Sequence, residues 1–177
     1  MSEPVQSDYW RHQVWTLLHY AHDIVIKNEE DAFRRKAEVS YQQGLILMVM
    51  ESFDNPVTAV EIARLMQRNP NTVSMILDRM EKQLLVKKVR SLDDRRLVHV
   101  QMTQLGREKL AQAIKVGNDL VGRIVNDFSE EELKLFAKFL SKITTRAAHE
   151  AGIDESPYNN ASGNIRKVGN MFNAQKR

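Results

Sequence analysis

Thr58-Ala59-Val60-Glu61-Ile62-Ala63-Arg64-Leu65-Met66-Gln67-Arg68-Asn69-Pro70-Asn71-Thr72-Val73-Ser74-Met75-Ile76-Leu77-Asp78-Arg79-Met80 is the stretch from which the architecture unfolds. Thr58 with Glu61 three residues on is a capping box, in which hydroxyl and carboxylate satisfy each other's backbone N–H groups and open a helix. Val60, Ala63 and Leu65-Met66 give that helix a short apolar face. After a turn at Gln67-Arg68, Asn69-Pro70 is an N-cap followed by proline at the first helical position, where its missing N–H costs nothing. Val73, Ile76, Leu77 and Met80 then recur at three- and four-residue steps, the spacing of one buried helical face. Two short helices joined by a tight turn are the outline of a helix-turn-helix. The opposite face of the second helix presents Asn71, Met75, Asp78 and Lys82, flanked by Thr72, Ser74 and Arg79. Its N-terminal half is small and polar, which suits a helix end entering a major groove; a solvated face is the plainer alternative.

Immediately C-terminal, Leu85–Arg90 and Leu97–Met102 lean toward strand, with Val98, Val100 and Met102 alternating with His99 and Gln101. The polar run Ser91 to Arg96 between them makes a β-hairpin. This hairpin carries Lys87, Lys88, Arg90, Arg95 and Arg96 against Asp93 and Asp94. Two adjacent arginines at a hairpin tip suit a narrow minor groove, where the negative potential is enhanced. Asp94, two residues before Arg96, is placed to orient that guanidinium. From Arg64 to Arg96 there are nine bases and four acids, so this stretch carries +5 and the rest of the chain −2.

Farther out the chain is helical. Thr103 caps a helix expected to run to about Asp127, with Ile114, Leu120-Val121, Ile124-Val125 and Phe128 as its apolar seam. Ser129 with Glu132 is another capping box, and Leu133, Phe136, Phe139, Leu140 and Ile143 follow it to about residue 149. Toward the N-terminus, Ser40 with Gln43 caps a continuously apolar helix that stops before Pro56. Trp10, Val14, Leu17, Leu18, Ala21 and Val25 predict a first helix over 8–31, with a charged stretch from Lys27 to Glu38 holding its end and a connection. Beyond Ala151 the composition shifts to Asn, Ser and Gly, an extension in which Ile165, Val168 and Phe172 have the spacing of one short helix.

Composition narrows the chemistry. The 177 residues hold 26 bases, 23 acids and no cysteine, which removes disulfides, thiolate metal sites and thiol-based switches together. Seven Gly and four Pro are few for a loop-rich β domain and favour a mostly helical one. No segment nears the roughly 18 apolar residues of a membrane span, and Met1-Ser2-Glu3-Pro4 lacks a signal-peptide layout, so a cytoplasmic protein without membrane contact is expected. No phosphate loop and no Gly-x-Ser-x-Gly is present, so no enzyme and no cofactor are expected. His12 and His19 lie about 10 Å apart on a helix, too far to share an ion. His19 and His22, with Asp23 alongside, stand at metal-binding spacing, but isolated surface histidines are the commoner reading and no metal is expected.

These residues carry a resemblance. The runs Thr58 to Met66 and Asn69 to Val86, and above all Asp94-Arg95-Arg96-Leu97-Val98-His99-Val100-Gln101-Met102-Thr103-Gln104-Leu105-Gly106, resemble the MarR family of winged-helix transcription regulators. Asp94, Arg96, Met102, Thr103 and Gly106 occupy the family's wing signature. Gln83 stands where a glycine usually ends the recognition helix. The resemblance implies a mainly α fold, a winged helix-turn-helix with a two-stranded β wing and a helical dimerisation region. Its parts would be N-terminal helices over 1–55, a DNA-binding lobe over 56–102, C-terminal dimerisation helices over 103–150 and an extension over 151–177. It further implies a homodimeric repressor that binds a pseudo-palindrome in double-stranded DNA. Asn71, Thr72, Ser74 and Met75 would meet bases and Arg96, oriented by Asp94, the minor groove. Arg95, Arg90 and Lys88 would meet phosphates, with Asn69 and Arg79 completing the interface. A small-molecule effector would bind a cleft whose candidate lining is Trp15, His19, Tyr41 and Met48. The alternatives are a winged-helix module that binds protein rather than DNA, which would not need Arg95 and Arg96 together, and a metal-responsive regulator.

Overall fold

The computed structural model describes residues 4–53, 56–90 and 97–153. Among them are six helices and one small sheet: α1 (Pro4–Lys36), α2 (Tyr41–Glu51), β1 (Val57–Thr58), α3 (Ala59–Leu65), α4 (Pro70–Lys82), β2 (Val86–Arg90), β3 (Val98–Met102), α5 (Gln104–Ile124) and α6 (Glu130–Glu150). The mainly helical winged helix-turn-helix is therefore present. No helix among the described residues is long and apolar enough to cross a membrane.

The caps read from the sequence form. Ser40, Thr58 and Ser129 each complete a capping box, with Gln43, Glu61 and Glu132 respectively, and Asn69 accepts the N–H of Asn71 at 2.8 Å. The extent of the first helix needs correction. The first helix does not end near residue 31 but runs to Lys36, because Lys27, Glu30, Asp31, Arg34 and Arg35 line its exposed side while Ala32 and Phe33 face inward. Its last turn, Arg34-Arg35-Lys36, opposes the negative end of the helix dipole. The two-stranded wing of β2 and β3 forms as expected, and β1 adds a third antiparallel strand in the order β1-β3-β2, with Val57 opposite Val100 and Lys88 opposite Val100 on the other side.

Helix α4 ends without glycine, but one residue beyond the position expected. Gln83 keeps a negative φ of −86°, and it is Leu84 that turns left-handed at φ 59°. Leu85 N–H reaches Met80 O and Leu84 N–H reaches Glu81 O, both at 2.9 Å, the paired bonds of a Schellman cap. Gln67 ends α3 in the same way at φ 50°.

Ile46 and Leu47 of α2, Ile62 of α3, Val73, Leu77 and Met80 of α4, Val86 and Val100 of the sheet and Leu110, Ala113 and Ile114 of α5 form one core. The helices at the two ends behave differently. On α6 no residue is buried, and Tyr9, Trp10, Val14, Trp15, Leu17, Tyr20 and Ile24 of α1 are all exposed. Helix α5 ends at Ile124 rather than near Asp127, and the expected apolar seam divides, with Ile114 and Leu120 inside and Val121, Ile124 and, beyond the helix, Phe128 outside. The extension beyond Ile153, including the helical spacing at Ile165, Val168 and Phe172, lies outside the described residues.

Candidate nucleic-acid interface

Helix α4 carries the first half of the candidate interface. Burial of Val73, Leu77 and Met80 turns Asn71, Thr72, Met75, Asp78 and Arg79 outward, with Ser74 half-buried beside them. Asn69 and Pro70 at its start are exposed. The structure thus brings Asn69, Asn71, Thr72, Ser74, Met75 and Arg79 onto one open flank.

The second half is the hairpin beside it. Thr103 locks it to the end of α4, accepting the Gly106 N–H at 3.0 Å and donating its hydroxyl to the Leu84 and Leu85 carbonyls at 2.5 and 3.0 Å. Gly106 makes that approach possible. A Cβ there would stand 2.1 Å from Leu85 O and 2.8 Å from the Met102 side chain, so the signature glycine is a packing requirement. Arg90 lies exposed at the end of β2. Asp94, Arg95 and Arg96 at the tip fall outside the described residues.

Lys88 is placed differently from Arg90. Its ammonium pairs with the Asp78 carboxylate on α4, and its backbone N–H donates to Glu81 Oε1 at 2.9 Å. The hydrogen bond and charge of Lys88 hold the Asp78 carboxyl below the usual carboxylate range. Periodicity marked Asp78 only as an exposed position; two acids i and i+3 apart on an otherwise basic lobe were the signal for this grip. Among the described residues neither Arg79 nor Arg90 has a carboxylate partner.

The cleft candidates separate. Trp15 and His19 stack edge to face, with ring centroids 5.0 Å apart, and line an open groove of about 630 Å³ between α1 and α6 with Leu18, Gln67, Ile143 and Thr144. Tyr41 is not in that lining. It hydrogen-bonds Glu29 and packs edge-on against Phe33, and burial, then the Glu29 charge, pushes its phenol up to about 12. Met48 is a core residue of α2. His22 turns to Asp23 at 3.3 Å rather than to His19, and no group of three potential metal ligands occurs among the described residues.

The sequence profile of the MarR family matches residues 38–97, which run from the end of α1 into the hairpin. The chain is 29% identical over 95 residues to the HTH-type transcriptional repressor MdtR of Bacillus subtilis (strain 168), a match spanning 54% of this chain and 59% of that protein. Among solved structures, the organohalide-sensing regulator RdhR-CbdbA1625 in its 2,4-dichlorophenol-bound form superposes with a TM-score of 0.70 at 21% identity, covering 77% of this chain and 80% of its own. Streptococcus pneumoniae FabT in complex with DNA gives 0.68 at 22% identity, covering 78% and 98%. The chain thus resembles the MarR family across the winged-helix lobe, and it shares the fold of these solved regulators over three-quarters of its length.

Proposed function

We propose that this chain is a homodimeric, sequence-specific DNA-binding repressor whose operator affinity is set by a small-molecule effector. The observation that carries the reading is the shared open flank of α4 and the hairpin. A capped helix with small polar residues at its N-terminal half stands beside a strand pair that leads into Arg95 and Arg96. Asn71, Thr72, Ser74 and Met75 meet base edges in the major groove, and Asn69 and Arg79 meet the adjoining backbone. Arg96, oriented by Asp94, enters the minor groove, and Arg90 and Arg95 neutralise phosphates. The uncovered apolar faces of α1, α5 and α6 supply the dimer contact, which places two lobes on successive major grooves. In this reading the chain binds rather than catalyses.

For the effector, the groove that holds Trp15 and His19 is favoured. Its lining contains no Asp, Glu, Lys or Arg, so it suits a neutral molecule with an aromatic or apolar body, held by stacking and by Thr144 and Gln67. An effector that prefers one lobe spacing shifts the population toward it and so changes DNA affinity.

Arg96→Ala tests the reading, with the DNA upstream of the protein's own reading frame as probe. Operator affinity is expected to fall by about 1–3 kcal/mol, roughly fivefold to 150-fold. The slope of log K against log salt is expected to flatten by about 0.9 per protomer. Unchanged affinity together with an unchanged slope overturns the wing assignment. Binding to a protein in place of DNA would instead favour the interaction-module reading.

A further inference from the structure

Between Arg64 and Arg90 the chain has two acidic residues, Asp78 and Glu81, and both take hold of the same base. They lie one turn apart on the flank of α4 that meets β2. Glu81 fixes the backbone of Lys88 and Asp78 fixes its ammonium, leaving the Lys88 side chain 29% exposed. Residues two apart on a strand share a face, so Lys88 and Arg90 start from the same side of β2. Arg90 has no carboxylate partner among the described residues, whereas the Lys88 charge is already paired with Asp78 and its side chain is largely covered.

We infer that Asp78 is a specificity-setting positioning residue, which keeps the Lys88 charge off the DNA backbone while Glu81 anchors the root of the hairpin to the recognition helix. The inference rests on the DNA-binding reading above. Phosphate contacts strengthen binding to every sequence alike, and each makes the salt dependence steeper. A lysine paired internally adds neither, so base contacts supply a larger share of the binding free energy. The basic character of the lobe thus overstates the number of backbone contacts it makes. Lys88, expected from the sequence to meet phosphate, is reassigned to the hinge between helix and wing.

The test compares Asp78→Ala, Asp78→Asn and the double variant Asp78→Ala/Lys88→Gln with the unsubstituted full chain. Each is titrated across a salt series against the upstream DNA and against a random duplex of equal length. Asp78→Ala is expected to steepen the slope by about 0.9 per protomer and to lower the ratio of specific to random affinity. The double variant, in which a neutral pair replaces a neutral pair, is expected to return the slope to its original value. Thermal unfolding of all variants reads out folding, and Asp78→Asn supplies the measurement if alanine loosens the hairpin. A double variant with a slope shallower by about 0.9 per protomer overturns the inference, since Lys88 would then have been a phosphate contact. A slope unchanged in Asp78→Ala and Asp78→Asn overturns it as well, because the freed lysine would not reach the backbone. If the unsubstituted chain binds neither duplex, the DNA-binding reading fails and the inference falls with it.

Discussion

In the winged-helix lobe Ile62, Val73, Leu77 and Met80 are closed off from water within a single chain; on α6, Phe136 and Phe139 remain 55% and 50% exposed. The two regions hold similar side chains at similar helical spacing, yet only one has its cover. The lobe meets its own sheet and α5, and its cap residues are tied to one another through Thr103 and Leu85. The end of α1 packs on α2 and α5, but the apolar faces of its first turns and of α6 have no cover among the described residues. Burial thus divides the described residues into a lobe with a closed core and outer helices whose apolar faces are open.

The sharpest way to break that contrast is to charge the outer helices. Phe139→Asp is expected to weaken dimerisation by at least the burial of a Phe side chain, about 1.5–3 kcal/mol from each protomer. Sedimentation velocity across a concentration series would then show monomer at loadings where the unsubstituted chain is dimeric, with the far-ultraviolet circular dichroism of the folded lobe retained. An unchanged dimer would place the interface elsewhere. The matching change in the lobe is Gly106→Ala. Its new methyl group meets the Leu85 carbonyl, a backbone atom already bound by Thr103, so neither partner can step aside. A loss of about 1–3 kcal/mol in chemical denaturation is expected, independent of protein concentration.

The parts of this design that depend on near neighbours were legible in the sequence. Three capping boxes are written in four residues each, and the buried face of α4 follows from a 3.6-residue period. What escaped depends on partners far along the chain or on geometry without a residue signature. The extra turn of α1 hid behind charges that line only its outer side. β1 is two residues long, too short to show alternation, and exists because β3 offers it an edge. Lys88 read as one more base of the hairpin until the packing of β2 on α4 brought Asp78 to it across ten positions. The spacing of Trp15 and His19 on one helix placed both in the groove, while Tyr41 and Met48 were drawn away by Glu29 and by the core.

A smaller effect sharpens the lobe's side of the comparison. Leu84 adopts a left-handed conformation that costs about 1–2 kcal/mol for an L-residue, and its side chain is 68% exposed, so little packing offsets that cost. Glycine removes the strain but adds unfolded-state entropy of about 0.5–1 kcal/mol. Leu84→Gly is therefore expected to stabilise the lobe by about 0.5–1 kcal/mol, read as a higher denaturant midpoint with an unchanged slope. A destabilised variant would mean that Leu84 packs against something outside the single chain.

The smallest effect lies at the joint between the two regions. Tyr41 at the start of α2 holds Glu29 of α1, and Arg68 in the turn between α3 and α4 acts on the same phenol. Burial comes first among the causes that push the phenol up to about 12, with the Glu29 carboxylate next. Between pH 10 and about 12 the folded chain therefore keeps a proton that the unfolded chain has released. More protons on the folded form mean that stability falls as pH rises through this window. Two pKa units would set a ceiling near 2.7 kcal/mol, but a half-exposed phenol is screened by solvent, which reduces the expected loss to about 1 kcal/mol or less. Tyr41→Phe removes the titrating group and should flatten the alkaline decline in that window while leaving the oligomeric state at neutral pH unchanged. An identical decline in Tyr41→Phe would remove this phenol from the coupling between outer helices and lobe, leaving α1 and α2 joined there by Phe33 and its apolar neighbours alone.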